Sequence, residues 1–193
     1  MKQSILAIHG AFSTPNIFNY VKREIKNKQW NFLDYQHITT DIGDILDLAK
    51  QTYTDHEPMH LIGHSMGGLL ALSLSSLPWV KSVTTIATPL GGLELNLFQA
   101  YLSRSSFLQE TSSHSDLVQS IHNKNYKVPI KHIISTHGFN PYMFEPSDGV
   151  VTLRSQRAWS AGSVTEIYAN HAEIMMNPET VTTILNFWAK LDS

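Results

Sequence analysis

Gly63-His64-Ser65-Met66-Gly67 stands between an apolar run, Met59-His60-Leu61-Ile62, and a helix-like run, Leu69-Leu70-Ala71-Leu72-Ser73-Leu74. A strand that passes into a helix through so short a turn leaves no room for side chains two before and two after the serine. Gly63 and Gly67 meet that need. The helix then starts at the serine, so its free N–H groups and positive dipole end face any charge that develops there. A chain holding this turn is committed to a strand on one side of it and a helix on the other.

The rest of the chain repeats that alternation, which predicts a parallel sheet covered by helices on both faces. The first strand is expected at Ser4 to Ile8, followed by the turn His9-Gly10-Ala11-Phe12. Thr14-Pro15 opens a helix to about Lys28, with Phe18, Val21 and Ile25 on one face. A second strand is expected near Tyr35 to Thr39. A helix from Asp41 to Tyr53 follows, with Ile42, Ile45, Leu46 and Ala49 at helical spacing. The helix after Ser65 runs to about Leu77-Pro78. Further strands are predicted at Val80 to Ala87, Val128 to Thr136 and Val164 to Ala169, with a closing helix from Pro178 to Leu191. The expected fold class is α/β, about six mostly parallel strands in a single domain over residues 1–193.

Pro89 to Lys127 breaks this rhythm. It is too long for a simple crossover and carries two apolar helical stripes. One is Leu93, Leu97, Phe98, Tyr101 and Leu102. The other is Leu117, Val118 and Ile121, behind a Ser/Asp-rich start suited to capping. We read 89–127 as a cap-like insertion beside the serine.

Composition narrows the partners. With 193 residues, 42% apolar and 16% charged, the chain is long enough for one globular core. A net charge of −2 without a basic block argues against nucleic acid, and the absence of cysteine removes disulfides and thiolate chemistry. Only Ser4 to Ile8 is apolar near the start, short of a secretory apolar region of at least ~7 residues. No run reaches the ~18 residues of a membrane span. The expectation is a cytoplasmic protein with no transmembrane segment.

A serine hydroxyl needs a base to accept its proton, and the base needs an acid to hold its tautomer and balance its charge. Of ten histidines, His171 is the best base, because it follows the last strand in Tyr168-Ala169-Asn170-His171-Ala172. His137 is second. His64 is expected to point away from the serine, and His37, His56, His114 and His122 to be solvated. His60 and His64 are not on one helix face, so no metal site is expected. Asp148, in Pro146-Ser147-Asp148-Gly149-Val150-Val151, is the best acid, ahead of Glu145 and Asp116. Met66 offers one oxyanion N–H, and the other belongs to Ala11 or Phe12 in the first turn. Phe12, Leu90 and Phe144 are candidate substrate-binding walls. Met175 and Met176 are expected near His171, and Trp79, Trp159 and Trp188 in packing roles.

Five pieces in order along the chain resemble the α/β-hydrolase family, in particular small microbial lipases and the lipase-like group that includes GPI inositol deacylases. They are Ala7-Ile8-His9-Gly10, Gly63-His64-Ser65-Met66-Gly67-Gly68, Ala87-Thr88-Pro89-Leu90-Gly91-Gly92, Ser147-Asp148-Gly149-Val150-Val151 and Asn170-His171. The resemblance implies Ser65 as nucleophile, Asp148 as acid, His171 as base, and Ala11 and Met66 as oxyanion donors. It also implies that the segment after Thr88-Pro89 lines the acyl pocket. Leu90 stands where lipases of this group often have histidine.

The expected activity is hydrolysis of a small-molecule ester or lipid, with no metal or organic cofactor. An acyltransferase or thioesterase would use the same residues, and a hydrolase fold kept for binding alone is the third reading. A dinucleotide or P-loop site is excluded, because the first turn lacks G-x-G-x-x-G and no Walker lysine follows a glycine loop. Oligomeric state is not encoded in these motifs.

Overall fold

The computed structural model describes residues 3–35, 41–53, 57–93, 111–113, 115–159 and 161–191. In chain order, the strands are β1 (Ser4–Ile8), β2 (Gln29–Leu33), β3 (Met59–His64), β4 (Val80–Ile86), β5 (Ile130–Ser135) and β6 (Ser163–Ile167). The helices are α1 (Asn19–Glu24), α2 (Ile42–Tyr53), α3 (Met66–Leu74), α4 (Asp116–His122), α5 (Leu153–Gln156) and α6 (Pro178–Ala189). Short 3-10 turns at Pro15–Phe18 and Glu173–Met176 lead into α1 and α6.

All six strands are parallel, in the order β2-β1-β3-β4-β5-β6. After β1 the chain steps outward to β2, then returns to β3 and continues the other way. The order therefore reverses between β1 and β3, and a crevice opens beyond their carboxyl ends. Ile8 is in register with Gly63, so the turns after these two strands leave the sheet side by side.

Strand alternation divides the core between the two faces. Leu6, Ile8 and Leu61 pack with α2, α3 and α4, while Ile5, Ala7 and Ile62 pack with α1 and α6. Helix α3 is apolar nearly all round, and every residue from Met66 to Leu72 is buried, as a helix central to a core must be. Helix α4 starts where the Ser/Asp-rich stretch predicts: the Ser115 hydroxyl accepts from the Val118 N–H at 3.3 Å. Helix α6 starts with Pro178 behind Asn177, whose side chain accepts from the Glu179 N–H at 2.9 Å. Trp79 and Trp188 are buried, and Trp159 is packed at its edge against His122 and Tyr126.

The second strand differs from expectation. It is Gln29–Leu33, not a segment near Tyr35 to Thr39, and the first helix ends at Glu24 rather than near Lys28. Asn27 takes a left-handed conformation (φ 62°), which turns the chain back four residues early. Trp30 and Phe32 then pack on one face of the sheet and Leu33 on the other. The charged surroundings of this strand hide it in sequence. Residues 36–40 lie outside the described residues, as does the cap stripe Leu97, Phe98, Tyr101 and Leu102. Among the described residues, no helix is long and apolar enough to cross a membrane.

Candidate active site

Ser65 occupies the turn between β3 and α3 with φ 55° and ψ −125°, a conformation costing a non-glycine residue about 1–3 kcal/mol. The surrounding packing holds it there. A Cβ on Gly63 would collide with the Gly67 backbone, and one on Gly67 with the Ile8 carbonyl. The Ser65 N–H donates to the Ile86 carbonyl at 2.8 Å, tying the turn to β4.

Gly10 brings the turn after β1 against the serine: a Cβ there would stand 2.9 Å from the Ser65 Cβ. Two clamps shape this turn. The Tyr35 hydroxyl donates to the His9 carbonyl at 2.7 Å, and the His9 ring donates from Nδ1 to the Gly10 carbonyl at 2.8 Å. The two rings stack at 4.2 Å, and burial holds the His9 imidazole below its ordinary pKa. Across the crevice Met66 begins α3, so its N–H is among those a helix leaves without an intrahelical partner. Sequence reading named both turns but gave no sign of the Tyr35 clamp.

Asp148 and His171 meet through a 2.7 Å hydrogen bond from His171 Nδ1 to Asp148 Oδ2. The Asp148 side chain is wholly buried, whereas His171 keeps an exposed edge. The carboxylate accepts four further hydrogen bonds. Val150 and Val151 N–H donate to Oδ1 at 2.9 and 2.7 Å. The Ser135 hydroxyl and the Gln156 amide donate to Oδ2 at 2.5 and 3.1 Å. Burial opposes the charge, but the His171, Ser135 and Val151 donors outweigh it and hold the carboxyl below the usual aspartate range. Ser135 and Gln156 went unnoticed in sequence, where Ser135 reads as the end of a strand and Gln156 as one helical polar residue.

His64 also differs from expectation. Its ring does not leave the site: Nε2 donates to the His171 carbonyl at 2.9 Å, with the two rings 4.9 Å apart. Burial, then the neighbouring His171, lowers its pKa to about 3, so it stays neutral and donates from one nitrogen. His60 turns elsewhere, sharing a 2.7 Å hydrogen bond with Ser82 and stacking on Trp188 at 4.6 Å.

The other candidates are spread out. His137 stacks on Tyr168 at 4.3 Å, Glu145 pairs with Arg154 at 3.2 Å, and Asp116 sits in the first turn of α4. His122, expected to be solvated, donates to the Leu90 carbonyl at 2.7 Å. Leu90 is buried and packs in the core below the Thr88-Pro89 turn. Phe12 lies at the crevice with φ 55° and is 69% exposed; Phe144 is 99% exposed and packs against nothing that would make it a wall. Met175 is buried beside His171, while Met176 is exposed. The segment holding Gln156 also fastens the Thr88–Gly92 turn: Gly91 N–H donates to the Ser155 carbonyl at 2.9 Å, and the Ser155 hydroxyl to the Gly92 carbonyl at 2.6 Å.

A serine on a strained strand-to-helix turn, at the switch point of a six-stranded parallel sheet with helices on both faces, defines the α/β-hydrolase fold. The chain belongs to the PGAP1-like alpha/beta domain family, which matches residues 27–177. Solved structures agree on the fold. A lipase-esterase related protein from Clostridium acetobutylicum superposes with a TM-score of 0.71 at 17% identity, covering 96% of this chain and 94% of that one. Bacillus licheniformis lipase BlEst2 gives 0.67 at 18% identity, covering 98% and 92%. An alpha/beta superfamily hydrolase from Oenococcus oeni gives 0.68 at 15% identity, covering 100% and 94%. No curated protein matches the sequence significantly.

Proposed function

We propose that this protein is a serine hydrolase of carboxylic esters, using Ser65, His171 and Asp148. The observation that carries the reading is the buried, fully hydrogen-bonded Asp148 carboxylate holding His171 at 2.7 Å, on loops that close on the turn of Ser65. An imidazole held through Nδ1 has its other nitrogen left as the basic one.

In this mechanism Ser65 Oγ attacks the ester carbonyl carbon as His171 Nε2 takes its proton. The carbonyl oxygen becomes an oxyanion held by the N–H groups of Ala11 and Met66. Collapse breaks the bond to the alcohol oxygen, which receives the proton from His171. Water then attacks the acyl-enzyme by the same route and frees the acid and Ser65. Asp148 stays ionised throughout and balances the imidazolium. We infer further that residues 1–193 act as one domain, with 89–127 inserted beside the site. The lipases and esterases among the structural neighbours make esters the class to test first.

The test is hydrolysis of p-nitrophenyl esters from acetyl to palmitoyl, with Ser65→Ala as the blank, together with labelling by a fluorophosphonate. Turnover and labelling that both disappear in Ser65→Ala support the proposal. Turnover that survives in that variant, or an unlabelled wild type with no turnover on any ester, rejects it.

A further inference from the structure

At the opposite end of the sheet from Ser65, β5, β6 and α6 enclose a cavity of about 250 Å³. Lys131 begins this end of β5 and is in register with Ser163 on β6, while Ile133 is in register with Thr165. Residues two apart on a strand share a face, so Lys131, Ser163 and Thr165 project together toward α6. There they meet Thr183, Asn186 and Lys190, with Phe187 forming an apolar edge. Ser135, which touches Asp148, is four residues further along β5, or about 13 Å away. The cavity is therefore separate from the crevice of Ser65.

Its chemistry is one-sided. Two lysines and three hydroxyls converge with a carboxamide, and no carboxylate lines the cavity among the described residues. Lys131 is only 8% exposed, yet no acceptor among the described residues pairs with its ammonium. Buried cations are almost always paired, because desolvating an unpaired charge is costly. Burial, then the charge of Lys190, holds this ammonium below the usual lysine range. The four-carbon stem could have carried the charge into water, as lysine stems commonly do. Instead it opens onto a space lined with donors.

We propose that this cavity binds a phosphoryl group, with Lys131 and Lys190 matching its two charges and Ser163, Thr165, Thr183 and Asn186 hydrogen-bonding its oxygens. Tetrahedral oxygens want donors from several directions, which compact ammonium groups and rotatable hydroxyls supply. A planar carboxylate would leave part of that donor set unused. The group could be a soluble phosphate monoester or a lipid headgroup, since both present the same oxygens. The proposal stands apart from the hydrolase reading, and none of its residues touches Asp148, His171 or Ser65.

The experiment is thermal denaturation and titration calorimetry of the whole protein with sodium phosphate and with glycerol 3-phosphate, against sodium chloride at equal ionic strength. Both ligands should raise the melting temperature saturably, as ligation of the native state alone requires. Lys131→Met keeps the apolar stem and should lose the response entirely. Without ligand it should melt no lower than the wild type, because an unpaired charge has gone. Lys190→Met should weaken binding at least ~10-fold, the order expected for losing one charge-assisted contact. Ser65→Ala should bind as the wild type does. Sedimentation with phosphatidylcholine vesicles, with and without phosphatidic acid, separates the sources: Lys131-dependent sedimentation with phosphatidic acid assigns a lipid headgroup, and soluble binding without sedimentation assigns a free monoester. No saturable binding in either format, or binding retained in Lys131→Met, overturns the proposal.

Discussion

His64 donates from Nε2 to the backbone carbonyl of His171 at 2.9 Å, so the strand that delivers Ser65 also holds the loop that delivers the candidate base. The His171 N–H in turn donates to the Asp148 carbonyl at 3.0 Å, and its ring to the Asp148 carboxylate at 2.7 Å. Three bonds thus hold one residue from both sides of the crevice. The residue preceding the nucleophile is a strap.

Replacing His64 with Ala should release the His171 loop without touching substrate. The lost bond is worth about 1.4 kcal/mol, so we expect kcat to fall roughly 10-fold with KM little changed. His64→Gln, whose amide can donate to the same carbonyl, should recover part of the loss. Steady-state kinetics on a short-chain ester checks this, and equal losses in Ala and Gln would mean that the strap is not what matters.

The cradle around Asp148 predicts a graded series. Asp148→Asn should cost about 10⁴-fold in kcat, because the amide presents the wrong partner to His171 Nδ1. Gln156→Leu removes one donor to Oδ2 and strands the Ser135 carbonyl, which accepts from the same amide at 3.1 Å. It should cost about 10-fold and shift the acid limb of the pH–rate profile. Ser135→Ala should do the same, and Ser135→Thr should restore the hydroxyl and the profile. An unmoved pH profile in both variants would make these residues merely structural.

Gly63 and Gly67 are required by close approach rather than by conformation. Gly67→Ala drives a methyl group into the Ile8 carbonyl between two central strands, where neither backbone can yield. The expected loss is about 3 kcal/mol or more in urea denaturation, at the top of the overpacking range. Gly149→Ala is the contrast: φ is 95° but the nearest atom is 3.6 Å away, so only the backbone cost of about 1 kcal/mol is expected.

Two buried imidazoles set the acid sensitivity of the fold. His64 is lowered to about 3, and His132 to about 4, burial being the largest cause in each. An unfolded histidine takes up its proton near pH ~6.5. Between that pH and the folded values the unfolded chain binds more protons, so stability falls as pH drops. The slope is about 1.4 kcal/mol per pH unit for each such proton. Asp148 acts lower down: its depressed folded pKa adds stability above the ordinary aspartate value, lost as pH falls through the folded one. Urea midpoints from pH 7 to 4 should trace the decline, and His132→Gln should flatten it by one proton. A midpoint constant over that range would contradict the burial assigned to these rings.

Much of the architecture can be read from local pattern. The alternation of Ile5, Leu6, Ala7 and Ile8, the helical spacing of Ile42, Ile45 and Ala49, and the capping of α4 and α6 depend on neighbours within one turn or one strand. Register hides from such reading: β2 was displaced because a single left-handed residue, Asn27, moved the turn. Cap and wall assignments depend equally on what packs against what, so Phe144 reads as a pocket residue in sequence and stands 99% exposed in the fold.

By itself the sequence determined the α/β alternation, the strained serine turn with its two flanking glycines, and the order in which Ser65, Asp148 and His171 follow one another. Those are local demands of backbone sterics and periodicity, carried by residues close together in the chain. Only the tertiary structure decided that Ser135 and Gln156 saturate Asp148, that Tyr35 grips the His9 turn, that His64 straps His171, and that Lys131 faces Lys190 across an uncompensated cavity. These partners come from different strands and helices, from 8 to 107 residues apart along the chain for the hydrogen-bonded pairs. A parallel sheet makes neighbours of residues that are distant in sequence, and no local pattern records which will meet.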